Sequence, residues 1–431
     1  MTNELLITHA SQLLTLAGPR RPRTGEEMRE LAIITDGALL ARDGLIAAVG
    51  RADEIEKMAS RDAVIIDARG CVVMPGFVDS HTHPVFAGSR EDEYEMRSAG
   101  ATYQEIAARG GGIRSTVRRT RKASEEELFA MALPRLEWML EHGTTTIEAK
   151  SGYGLTLTDE LKILRVIRRL NQETPLDIIP TFLGAHEIPD EYRAKREDYI
   201  RLVTDEMMPR VMEENLARYA DVFCESHVFN IDESRRVLER AKELGLGLRF
   251  HADQLTAGGG ALLAAELRAA TADHLEWTDD AGIEAMRRAE VMGVLLPGAV
   301  FNLGLTRYPP ARRMIEAGLG IALATDFNPG SSPTPSMQMI LSIACAQMRM
   351  TPAEAVTAAT INAAYSLDIG SLVGSLEAGK QADVVVMDCA DFRQIPYFFG
   401  VNHARTVIKS GRVVLDRRDQ ADAGTQPSPP Q

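Results

Sequence analysis

From about residue 76 to residue 368 the chain repeats one pattern, a short apolar run followed by a longer amphipathic stretch. TTTIEAKS (144–151) precedes DELKILRVIRRLNQE (159–173), and LDIIPTFLGAH (176–186) precedes YIRLVTDEMMPRVMEENL (199–216). ADVFCESHVF (220–229) precedes DESRRVLERAKELG (232–245), after which LGLRFHADQL (246–255), ATADHLEW (270–277), EVMGVLLPGA (290–299) and GIALATDFNP (320–329) supply further strand ends. Strands joined through helices must cross over, which makes them parallel neighbours buried on both faces. Eight such units close into a barrel, although periodicity alone fits an open doubly wound sheet as well. The predicted fold class is α/β, a (β/α)8 TIM barrel.

The two ends of the chain read differently. GALLARDGLIAAVG (37–50) is a pair of apolar runs around Asp43-Gly44, a dipeptide suited to the positive φ angles of a hairpin turn, and AVIIDARGCVVMPGFVDSH (63–81) continues in short strands. ADVVVMD (382–388) and ARTVIKSGRVVLD (404–416) do the same at the other end. We expect both ends to pair into one small β-sandwich, with residues 1–75 and 369–416 contributing its parts, 76–368 forming the barrel, and the polar, Pro-rich 417–431 a disordered tail. A net charge of −13 provides no basic footprint for nucleic acid or an anionic membrane. Val291–Leu305 is too short and too broken by Pro297 and Asn302 to span a bilayer, and MTNELLITHA lacks the basic start of a signal peptide. Cys71, Cys224, Cys345 and Cys389 lie far apart with no CxxC pair, which speaks against a disulfide framework or cysteine-bound zinc and for a reducing cytoplasm.

Chemistry enters with the histidines. His81 and His83 form His-x-His directly after GFVDS, and residues two apart on an extended chain face the same side, so both rings can reach one ion. His251 ends LGLRFH, His274 ends ATADH, and Asp326 ends GIALATD. Barrel enzymes assemble their sites at the C-terminal ends of the strands, and imidazoles with one carboxylate suit zinc or iron with open positions for water and substrate. Arg90 offers a planar fork for a carboxylate, unless it merely pairs within the acidic run EDEYE that follows it. Tyr153, between Gly152 and Gly154, fits a ligand-facing ring or simple packing equally well. GSLEAGKQ (374–381) has a phosphate-loop outline, but Gln381 replaces the required hydroxyl residue and no long helix follows.

PGFVDSHTH, a later strand-end His, another His and a final strand-end Asp before NPG resemble the amidohydrolase superfamily. The likeness sharpens toward the enzymes that open the imidazolone ring in histidine degradation, through HTHPVFAGSR (81–90), ATYQEIAARGGGIRSTVRRTR (101–121) and TTTIEAKSGYGL (144–155). TFLGAHEIP (181–189), FHADQL (250–255), TADHLEW (271–277) and ATDFNPGSSP (324–333) complete it. This resemblance implies hydrolysis of 4-imidazolone-5-propanoate to N-formimidoyl-L-glutamate, with one catalytic Zn²⁺ or Fe²⁺/Fe³⁺ per chain bound by His81, His83, His251 and Asp326. It implies that His274, with Asp326, handles the proton of the attacking water, and that Arg90, Tyr153, His186, Gln254, Asn328, Gly330 and Ser331 bind substrate. It also implies a homodimer, and a Lys150 that does not bridge a second metal. Two residues depart from the pattern, Glu187 and His227, neither on a matched site position.

Overall fold

The computed structural model describes residues 4–101, 105 and 110–417. The tail beyond Arg417, expected to be disordered, lies outside the described residues. Eight strand positions run parallel in chain order. They are Phe77–Asp79, Thr144–Lys150, Asp177–Ala185, Tyr219–Cys224, the broken fifth strand Gly247–Leu248 and His251–Ala252, Thr271–His274, Met292–Leu295 and Ile321–Leu323. Between the first and eighth strands, Thr82 bridges Phe327 in parallel, the Asp326 amide donates to the His81 carbonyl at 3.0 Å and the His83 amide to the Phe327 carbonyl at 2.8 Å. The sheet is therefore nearly closed, as the alternation predicts, and the open-sheet alternative is excluded.

The helices form for local reasons and pack for global ones. Ser124, Asn230 and Thr351 each open a helix with a reciprocal capping box, satisfying amides that have no partner inside the helix. Helix Ile231–Glu243 buries Ser234, Val237, Leu238 and Ala241, one stripe at helical spacing against the barrel. Helix Glu125–Glu141 stops at His142, and Gly143 follows with φ +92°, the left-handed conformation that glycine adopts without penalty.

The chain ends form two flanking sheets. One has the order Leu45–Arg51, Gly37–Arg42, Glu4–Ala10, Val64–Asp67. The other joins both termini in the order Arg412–Asp416, Ala404–Lys409, Val384–Met387, Val72–Pro75, Gln12–Leu14, Ile33–Ile34. Leu5, Ile7, Leu39, Ile66, Val73, Val384, Val386 and Ile408 fill one buried cluster contributed by both sheets, so the expected sandwich is present. Asp43 and Gly44 turn its hairpin with φ +49° and +88°. Among the described residues no helix is long and apolar enough to cross a membrane.

Candidate active site

The seam that closes the barrel builds the site. His81 and His83 lie just past the last residue of the first strand, yet their rings still converge, with centroids 5.3 Å apart. Asp326 arrives from the eighth strand with its Oδ1 3.6 Å from His81 Nε2 and 3.5 Å from His83 Nε2. His251 and His274 come from the fifth and sixth strands, with ring centroids 4.5 and 5.6 Å from that of His81. Two sets of ligand atoms each lie within 4.8 Å of one another: His81, His83 and Asp326, and His81, His251 and His274. All five side chains are buried.

The donor set suits a metal ion. His81 Nδ1 lies 2.6 Å from Asp273 and His251 Nδ1 lies 3.0 Å from Asp221. Each carboxylate holds its imidazole with the proton on Nδ1, which leaves the Nε2 lone pair for a metal. His81 Nε2 is buried with no hydrogen-bond partner, as a ligand atom would be. Burial, reinforced by Lys150 and neighbouring histidines, holds His81 well below the ordinary histidine pKa, and burial lowers His83 despite Asp326. Both are neutral, the form that binds metal. Burial would raise Asp326, but His83 and His274 outweigh it and keep the carboxylate ionised.

His274 behaves differently. Burial opposes its charging, yet Glu276, Asp326 and Asp273 outweigh that and raise its pKa. Glu276 Oε1 is 3.6 Å from His274 Nδ1, an ion-pair separation too long for a hydrogen bond. His274, Leu275 and Asp326 have φ of +78°, +71° and +53°, a backbone conformation that side chains other than glycine rarely adopt.

Beneath the histidines lies a layer of which the sequence reading named only Lys150. Lys150 Nζ sits 2.6 Å from Glu148 and 2.8 Å from Asp221, while Arg249 reaches Asp273 at 3.4 Å and the Ser80 carbonyl at 2.7 Å. All five charged groups are buried. Lys150 is thus engaged with Glu148 and with Asp221, the carboxylate that orients His251. The signal for this layer was present as charges inside otherwise apolar strands: Glu148 and Lys150 in TTTIEAK, Asp221 in YADVFC, Asp273 in TADH.

The proposed substrate residues surround this centre unevenly. His186 stacks on His83 with centroids 5.3 Å apart, and its Nδ1 lies 2.9 Å from the Gly152 carbonyl. Burial holds His186 well below the ordinary range, so it is neutral. The Tyr153 ring lies 5.4 Å from His186 and 5.9 Å from His83, and burial raises its phenol so that it remains a proton donor. The Arg90 guanidinium lies over Gly330, where a Cβ would come within 2.4 Å of Nη1. Asn328 spends its carboxamide on its own loop: Oδ1 accepts from Gly330 and Ser331 amides at 2.8 Å each, and Nδ2 donates to the Asp326 carbonyl and Ser331 Oγ. Ser331 Oγ in turn is 3.3 Å from Asp326 Oδ2. Gln254 is half-buried three residues past His251.

Known proteins resemble this chain in sequence and in fold. The family model described as amidohydrolase family matches residues 72–414. An imidazolonepropionase of Solibacter usitatus is 59% identical over 95% of this chain and 98% of its own. Those of Symbiobacterium thermophilum and Geobacillus kaustophilus are each 51% identical over 96% of this chain, and over 97% and 98% of theirs. Among solved structures, a 5-methylcytosine deaminase from Klebsiella pneumoniae superposes with TM-score 0.73 at 19% identity, covering 96% of this chain and 98% of that one. A zinc-bound adenosine deaminase from Xanthomonas campestris gives 0.72 at 19%, covering 96% and 94%. These two share the fold. With both the family model and full-length relatives in agreement, the chain belongs to the amidohydrolase family and, within it, to the imidazolonepropionases.

Proposed function

We propose that the chain hydrolyses the ring C–N bond of 4-imidazolone-5-propanoate, giving N-formimidoyl-L-glutamate in histidine degradation. The observation that carries this reading is the 59% identity, across nearly all of both chains, to a relative named for that activity. His81, His83, His251 and Asp326 would hold a single Zn²⁺ or Fe²⁺/Fe³⁺. When bound, such an ion polarises a carbonyl and lowers the pKa of bound water to about 7.

The protein's own part is orientation and proton movement. Arg90 binds the propionate through charge-assisted hydrogen bonds. Tyr153 and His186 line the ring beside His83, with Gln254 at its edge. Asn328, Gly330 and Ser331 complete the substrate-binding set, Asn328 holding the loop so that Gly330 leaves room for Arg90 and Ser331 supports Asp326. His274 accepts a proton from the attacking water, Asp326 shares that proton, and one of the two returns it to the leaving ring nitrogen. All four cysteines are free, which supports a cytoplasmic setting. A homodimer and the division at 75, 368 and 416 belong to the same reading.

Purified protein supplied with zinc or iron should consume imidazolone propionate, seen as loss of ring absorbance, without releasing ammonia. Release of ammonia would instead indicate a deaminase. Elemental analysis should give about one metal per chain, as an open single-ion site requires. A reproducible value near two, with activity tracking the second ion, would revive Lys150 as a bridge.

A further inference from the structure

The segment GGGIRSTVRRTR takes no part in the chemistry above, yet its helix grips both loops that carry the outer substrate residues. Helix Ile113–Lys122 buries Thr116, Val117 and Thr120. Thr116 and Thr120, one turn apart on one face, meet the loop leaving the first barrel strand. Thr120 Oγ1 accepts the Ala87 amide at 3.1 Å, and Thr116 Oγ1 accepts Arg90 Nε–H at 2.9 Å. Arg119 Nη1 donates to the Ser89 carbonyl at 2.9 Å, its side chain lying across Gly88. On the other side, Arg121 donates to the carbonyls of Gly154 and Leu155 at 2.6 and 3.2 Å, directly after Tyr153. One helix therefore fixes Arg90 and Tyr153 relative to each other.

The contact at Arg90 differs from the rest, because it holds the side chain and not only the backbone. A guanidinium can meet a carboxylate along its Nε–Nη edge or its Nη1–Nη2 edge. With Nε given to Thr116, the Nη end remains, and that end lies over Gly330, four residues past Asp326 in the loop leaving the eighth strand. We propose that Thr116 is a positioning residue for substrate recognition, fixing Arg90 so that its Nη1–Nη2 edge faces the propionate.

This rests on the reading of Arg90 as the carboxylate's partner, so the test separates the two. Thr116→Val keeps the side chain's shape and removes the acceptor; Thr116→Ala serves if valine disturbs folding. With imidazolone propionate, either should raise KM about tenfold, the effect of one charge-assisted bond, with kcat changed less than twofold. Thr116→Ser should recover wild-type KM. With the neutral propionamide analogue, or in an Arg90→Ala background, the Thr116 substitutions should change nothing further. Equal losses on charged and neutral substrates, or full additivity with Arg90→Ala, would overturn the role of Thr116. If Arg90→Ala itself leaves the preference for the charged substrate intact, the assignment of Arg90 is wrong and the proposal falls with it.

Discussion

At His274 the backbone is held at φ +78° and the ring is buried beside Glu276, with its pKa raised by that carboxylate, Asp326 and Asp273 against the effect of burial. As the base proposed above, His274 must be neutral to act, so its raised pKa moves the acid limb of kcat/KM upward from that of an ordinary histidine, with activity rising as pH increases through it. Glu276→Gln removes one cause of the rise and should shift that limb to lower pH; a limb that stays put would show that Glu276 does not face the base. His274→Asn should lower kcat by about 10²–10⁴ while elemental analysis finds normal metal content. Loss of the metal instead would make His274 a ligand. The candidate site residues were legible because each stands at the end of an apolar run: His81 after GFVDS, His251 after LGLRF, Asp326 after GIALAT. Their supports were not. Asp221 meets His251 from the neighbouring strand and Asp273 meets His81 across 192 positions, pairings that exist only once strand order and register are set.

Between the strands, the loop 326–332 shows how an element can act as a unit. Asn328 bonds four ways within it, Ser331 touches Asp326, and Gly330 lies under Arg90. A methyl group at 330 would come within 2.4 Å of Arg90 Nη1, the mobile end of a long side chain, so Arg90 would move and the loop would hold. Gly330→Ala should therefore fold normally, keep its metal and raise KM for the charged substrate while leaving kcat nearly unchanged. A large fall in kcat would show that the loop itself had shifted Asp326. The glycine is visible in ATDFNPGSSP, but its reason is Arg90, 240 residues earlier, and no local pattern announces that. By contrast Asp43-Gly44 is a local instruction, and the hairpin it forms was readable directly. The helix expected over 199–216 runs from Arg196 to Glu213, and the π-helical turn Leu202–Met207 within it carries no sequence signal that we can identify.

Across the whole molecule, the sandwich and the barrel meet through a buried cation at the end opposite the site. Lys409, ending a sandwich strand, places its Nζ 2.5 Å from Asp383 and 2.6 Å from Asp177, the first residue of the third barrel strand. Asp383 also accepts the Ser410 amide at 3.0 Å, and Gln381 reaches Asp177 at 2.8 Å. Burial raises the Asp383 pKa and Lys409 is the chief influence drawing it back, so the lysine is what keeps a buried carboxylate charged in a nearly dry place. Lys409→Met would fill similar volume and leave Asp383 without its cation. Breaking a buried pair from one side costs about 3–5 kcal/mol, and the exposure of Asp177 reduces this case to about 2–4 kcal/mol. The urea midpoint should fall accordingly. The strand from Asp177 to Ala185 spans about 27 Å at the usual rise, so the folded variant should retain metal content, kcat and KM, because the site lies at the far end of the barrel. An unchanged midpoint would mean that the sandwich is held by apolar contacts alone, and a changed KM that the clamp reaches the site through the third strand.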